Sequence, residues 1–142
     1  PLHFMCYDEL LFIKAEVNND KQTYLDAIQA GHDAYGVSAD AAYWTAAEGF
    51  FDAGALEAII THKWVGLYGN GCEAWSEYRR TGFPSSVQEV PLSVYPGEGI
   101  PHRFAYPGIE VTTNEANLIK ARGDQNINSG SPLHGDKMWW AN

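Results

Sequence analysis

Basic residues are scarce in this chain: nine Lys and Arg stand against 18 Asp and Glu in 142 residues, a formal charge of -9. Nucleic-acid binding neutralises phosphates with many cations, so this balance argues against such a partner. Cysteine is nearly absent, with only Cys6 and Cys72. Two cysteines make no disulfide scaffold, and a chain of this length can bury a core without one. Both read as buried free thiols, with a Cys6–Cys72 pair in an oxidising compartment as the alternative. No run of 18 apolar residues occurs, so no membrane-crossing helix is expected.

Catalytic signatures are missing too. The chain holds no G-x-S-x-G elbow and no H-E-x-x-H, and His3, His32, His62, His102 and His134 fall at no ligand spacing. Asp124, Asn126 and Asn128 open like a calcium loop. However, Ser129 stands where the turn glycine belongs and Gly135 where the bidentate glutamate belongs. The "GNG" at 69–71 lacks the third glycine and the preceding strand of a phosphate loop. Enzymatic activity, metal and cofactor are therefore not expected.

Aromatic residues are abundant: five Trp, eight Tyr and six Phe. Rings of this kind fill cores, and they also offer flat apolar faces with polar edges on which sugars or peptides stack. The first part of the chain, 1–82, reads as helical. "FMCYDELLFIKAEV" is apolar on nearly every side, through Tyr7, Leu10, Leu11, Ile13 and Val17, as in a buried helix. The next helix opens at Asn19 with Gln22 three residues on, carries Tyr24, Ile28 and Tyr35, and stops at Gly36. Ala27, Ala30, Gly31 and Ala34 would let a neighbour approach it closely. Together the two make a hairpin of roughly tetratricopeptide length. A third helix is expected after a Ser38 cap. A fourth begins near Gly54 and carries Leu56, Ile60, Trp64, Leu67 and Tyr68. Gly69 and Gly71 kink or interrupt it before it runs on to Gly82.

Past Pro84 the character changes. Five of the seven prolines lie between Pro84 and Pro107, interleaved with Gly97 and Gly99, and helix is nearly excluded there. One short helix is expected in "TNEANLIKARG", capped by Thr113 or Asn114 and ended by Gly123. The tail is polar until Met138, Trp139 and Trp140. The expected architecture is mainly α: tetratricopeptide-like hairpins over 1–82, then an irregular Pro/Gly-rich segment over 83–142 that wraps the helical body.

Two features bear on function. Tyr43 and Trp44, early in an alanine-rich helix, are either core or a ligand platform. In "EAWSEYRRTGFP", adjacent Arg79 and Arg80 follow Trp75 and Tyr78 and precede Gly82 and Pro84. An anion contact, an active-site electrophile and a structural corner are all open to such a pair, and the corner fits best. Cations are favoured at a helix C-terminus, and arginine donates in a fork.

Four phrases in order, "YDELLFIKAEV", "AIITHKWVGLYGNGCEAWSEYRRTGFP", "IPHRFAYPGIEVTTNEAN" and "DKMWW", resemble the C-terminal region of SusD/RagB-type outer-membrane lipoproteins of Bacteroidetes. The motif positions are Trp64, Trp75, Arg79, Arg80, Pro101, Arg103, Tyr106, Pro107, Trp139 and Trp140. The resemblance implies a mostly helical, non-catalytic protein at the extracellular face of the outer membrane. It would be lipid-anchored through an N-terminal part that precedes this chain. It would capture oligosaccharide or peptide and pass it to a SusC-like, TonB-dependent transporter. No motif carries ligand contacts over residue by residue, so Tyr43 and Trp44 stand as candidates on their own chemistry. The alternative is a helical-repeat module that binds a protein on a concave face.

Overall fold

Local capping chemistry divides residues 5–86 into five helices. α1 (Tyr7–Asn18) ends where Asn19 turns left-handed at φ 50°, and the chain reverses through Asn19 and Asp20 alone. The Asp20 carboxylate accepts from the Thr23 amide at 2.9 Å and from the Thr23 hydroxyl, starting α2 (Lys21–Tyr35). These bonds, the hydroxyl's foremost, hold the Asp20 carboxyl below its ordinary value. The helix therefore starts one residue later than the Asn19–Gln22 box suggested, because a carboxylate satisfies its free amide and Asn19 is used to end α1. Gly36, at φ 65°, ends α2 as expected. α3 (Ala41–Ala53) is capped by Asp40, whose carboxylate takes the Tyr43 amide at 2.9 Å, and not by Ser38. Gly54 alone separates α3 from α4 (Ala55–Gly66), and a turn with Gly69 at φ 92° leads into α5 (Gly71–Thr81). Gly82, at φ 77°, closes α5.

This is a computed structural model, and it describes residues 5–88, 100–104, 106–124 and 140. Seven helices and no strand occur among the described residues, so the chain is mainly α. It divides into two units, Pro1–Ser86 and Val87–Asn142. In the first, α1 and α2 pack most extensively, and α4 lies against α1, α2, α3 and α5. The core joins Phe12 and Ala15 of α1, Tyr24, Ala27 and Ile28 of α2, Ala47 and Phe51 of α3, and Ala58 and Ile59 of α4. Ala15 and Ala27 are wholly buried, so small side chains lie in the core of this pair as expected for Ala27, whereas Ala30 and Gly31 are half-buried and Ala34 is exposed.

α1 differs from its reading as a helix buried all round. Phe12 and Ala15 are buried, whereas Tyr7, Leu10 and Val17 are exposed. Only one side of α1 meets α2 and α4, and three apolar residues three or seven apart form a second, uncovered face. Both cysteines are free, but Cys72 is exposed near the start of α5 and so is not a buried thiol.

In the second unit, α7 (Glu115–Asp124) stands where one helix was expected, and its Leu118 is buried. Asn114 accepts the first α7 bond, from Leu118 N at 3.0 Å. Gly123 lies inside the helix and does not stop it. A six-residue helix, α6 (Gly108–Thr113), precedes α7 immediately after Pro107, which serves as its N-cap. The Pro/Gly stretch 89–99 and most of the polar tail, Trp139 included, lie outside the described residues.

Candidate ligand-binding site

The helices of the first unit enclose a pocket of about 130 Å³. Asp8 and Phe12 reach it from α1, Ile28 and His32 from α2, Tyr43 from α3, and His62 from α4. Two glycines make room beside Asp8. A Cβ on Gly66 would stand 3.0 Å from Asp8 Oδ2, and one on Gly31 would stand 3.6 Å away.

Behind the pocket sits a hydrogen-bonded pair. Tyr24 Oη lies 3.3 Å from the Ala47 carbonyl and 3.0 Å from His62 Nδ1, which is itself 3.1 Å from the Ala58 carbonyl. A carbonyl only accepts, so the consistent assignment has Nδ1–H donating to Ala58 O and Tyr24 Oη while the phenol donates to Ala47 O. Burial pushes the His62 pKa down, against an upward pull from Ala58, and burial also pushes the Tyr24 phenol up. Both shifts favour the neutral form. With its folded pKa depressed, His62 contributes stability that is present above the unfolded value of about 6.5 and lost as pH falls through the folded value. Urea midpoints of the wild type and of His62→Phe, followed across that window, are expected to diverge, the wild type losing more stability on acidification. Parallel curves would show that His62 does not titrate differently on folding.

Tyr43 and Trp44 are both half-buried and pack against the core. Their rings stand 5.6 Å apart at 87°, and His32 meets Tyr43 at 5.3 Å and Trp44 at 5.7 Å. The three rings form a corner, not one flat platform. Tyr43 lines the pocket, and Trp44 meets the Tyr43 ring edge-on. Burial raises the Tyr43 phenol. His32, absent from the sequence candidates, has a buried Nδ1 with no hydrogen-bond partner.

The arginine motif is not part of the pocket lining. Arg80 bonds both oxygens of Glu16, at 2.7 and 2.9 Å, and Glu77 Oε2 at 2.8 Å. The buried Lys63 ammonium lies 3.2 Å from Glu77 Oε1. One network thereby ties the end of α5 to α1 and α4. Burial pushes the Glu77 carboxyl up, but Arg80 and Lys63 outweigh it and hold the group below its ordinary value. The Arg79 guanidinium lies over the Trp75 ring, 3.8 Å from its centre. Trp64 is partly exposed on α4. In the second unit Pro101, Arg103 and Tyr106 are half-buried, Pro107 is exposed and Trp140 is half-buried.

Asp8, His32, His62 and the Glu16–Lys63–Glu77 set went unrecognised in the sequence. The Glu77–Arg80 spacing of three was visible, but Glu16 is 64 residues from Arg80 and only the packing of α1 on α4 joins them.

No curated protein and no solved structure matches the chain significantly. The model of a SusD-like family described as "starch-binding associating with outer membrane" matches residues 1–107. That span takes in all five helices of the first unit, the pocket and the Trp75–Arg80 motif. The chain therefore belongs to the SusD-like family of starch-binding proteins associated with the outer membrane.

Proposed function

We propose that the chain binds oligosaccharide, or peptide, without chemistry at the outer membrane and delivers it to a SusC-like, TonB-dependent importer. An N-terminal segment of the same protein would carry the lipid anchor. The observation that carries this reading is the aromatic corner of His32, Tyr43 and Trp44 beside a pocket, in a chain of a starch-binding family. Rings at the mouth of a concavity stack on sugar faces, and a pocket beside them fixes orientation.

Calorimetry with maltoheptaose tests the reading. Binding in the micromolar range or weaker is expected, with the sugar recovered intact. Tyr43→Ala is expected to weaken it about tenfold, the effect of losing one stacked ring. Absence of binding both to maltoheptaose and to peptides, or cleavage of the sugar, would overturn the proposal.

A second reading, a protein-interaction module, is favoured by the uncovered apolar residues Tyr7, Leu10 and Val17 of α1 and Trp64 and Val65 of α4. Exposed apolar residues that form one patch mark protein or membrane contacts as well as ligand grooves. Capture of a barrel transporter would join the two readings, whereas a soluble partner without sugar binding would favour the second alone.

A further inference from the structure

Two polar groups that line the pocket are left without a partner by the fold, His32 Nδ1 and the Asp8 carboxylate, and of these only Asp8 is an acid. Asp8 is 8% exposed, yet among the described residues no hydrogen bond or ion pair reaches its carboxylate. The other buried charges in the first unit, Lys63 and Glu77, hold each other. Nor does Asp8 cap its own helix, because Cys6 occupies that position and no side chain bonds there. Its place in the first turn of α1 is electrostatically favourable, but that field supplies no partner for the oxygens.

The surroundings are shaped to leave the carboxylate open. Gly31 and Gly66 flank it, and a Cβ on Gly66 would press on Oδ2. Phe12, Ile28 and Tyr43 supply rings and an aliphatic wall, His32 and His62 line the space beside them, and no Lys or Arg does. A buried charge without a counter-charge is costly, and what relieves the cost is an opposite charge or strong donors.

We infer that this pocket receives a primary ammonium group of the ligand, with Asp8 as its counter-ion and the Phe12 and Tyr43 rings as its walls. The inference rests on reading the pocket as a ligand site and adds what the ligand must carry. An ammonium has donors only, and its alkyl stem suits apolar walls. Ring faces also attract cations. A neutral sugar edge brings several hydroxyls, each needing partners, and beyond Asp8 this mostly apolar wall offers few, chiefly His32, His62 and Tyr43. Size points the same way: about 130 Å³ is near the roughly 150 Å³ of a cavity that takes benzene, room for one head group and a few carbons. The overall charge of -9 favours arrival of cations. Two sources share this chemistry, an amino sugar and the amino terminus of a peptide.

The experiment titrates the full chain with protonated glucosamine, glycinamide and glucose, following backbone amide shifts at Gly31 and Gly66. The amines are expected to bind at least about tenfold more tightly than glucose. Asp8→Asn is expected to abolish that preference while keeping the shape of the side chain. Gly66→Ala, which leaves the charge but crowds it, is expected to weaken amine binding and serves where Asp8→Asn does not fold. Glucosamine alone binding identifies an amino sugar, glycinamide alone a peptide terminus, and either supports the inference. Equal affinity for glucose and glucosamine, or an amine preference that survives both substitutions, overturns it. Binding of maltoheptaose without any amine preference also overturns it, and that result leaves the oligosaccharide reading standing.

Discussion

Arg80→Ala is expected to lower the melting temperature by about 15 °C while leaving sugar affinity within about twofold. The size follows from what the substitution strands. Exposed ion pairs contribute little, but removing one member of a buried set costs about 3–5 kcal/mol because the remaining charges stay buried. Arg80 is partly screened, its side chain 29% exposed, so the lower end of that range applies. In a domain of this size each kcal/mol moves the midpoint by about 4–8 °C. Arg80→Lys is expected to recover only part of the loss, since a single ammonium cannot grip both oxygens of Glu16 and also reach Glu77. Arg79→Ala removes a cation–ring contact worth about 1 kcal/mol and is expected to do less. Acid provides a control on the cause. Glu77 has a depressed folded pKa, so its contribution is present above the unfolded value of about 4.3 and lost as pH falls through the folded one. The difference between wild type and Arg80→Ala should therefore shrink below about pH 4. A melting temperature unchanged by Arg80→Ala, or a loss of sugar affinity at full stability, would make Arg80 a ligand contact and not a corner.

Such a corner was partly legible. Arg79 and Arg80 just before Gly82 announce the end of a helix, and Gly82 does end it. The partner Glu16 was hidden because no local rule links α1 to α5. Helix positions followed from spacing and from Gly36 and Gly82, whereas two N-caps moved to Asp20 and Asp40, where a carboxylate two or one residues further on outcompetes Ser38 or Asn19 for the free amide. Periodicity misled at α1, because a helix apolar on two faces looks the same in sequence whether one face or both are covered. The pocket was the least legible feature. Nothing in the spacing of α1 marks Asp8 as enclosed, and only its position beside Gly31 and Gly66 makes it an internal carboxylate. Tyr43 and Trp44 were recognisable as a pair worth weighing, but their perpendicular rings and the addition of His32 depend on how α2 meets α3.

Tyr24→Ala is expected to cost about 3–5 kcal/mol, the range for deleting a buried aromatic side chain, and to leave the chain close to unfolded at physiological temperature. Tyr24 is wholly buried, and its ring centre lies 6.5 Å from Phe12, 5.2 Å from Phe51 and 5.4 Å from His62. It therefore joins α1, α2, α3 and α4 at one point, and the pocket rests on that junction. Tyr24→Phe separates packing from hydrogen bonding. It keeps the ring but removes the donor to Ala47 O and the acceptor for His62 Nδ1, and is expected to cost about 1 kcal/mol, or up to about 3 if the stranded groups stay dry. His62 would then lose one of the two partners that hold its ring and its Nδ1 proton in place. A Tyr24→Phe variant should accordingly bind maltoheptaose more weakly than its melting temperature alone would imply, because the ring backing the pocket becomes free to turn. If the phenylalanine variant matches the wild type in both stability and binding, the Tyr24–His62 bond has no part in building the site, and packing alone positions the pocket.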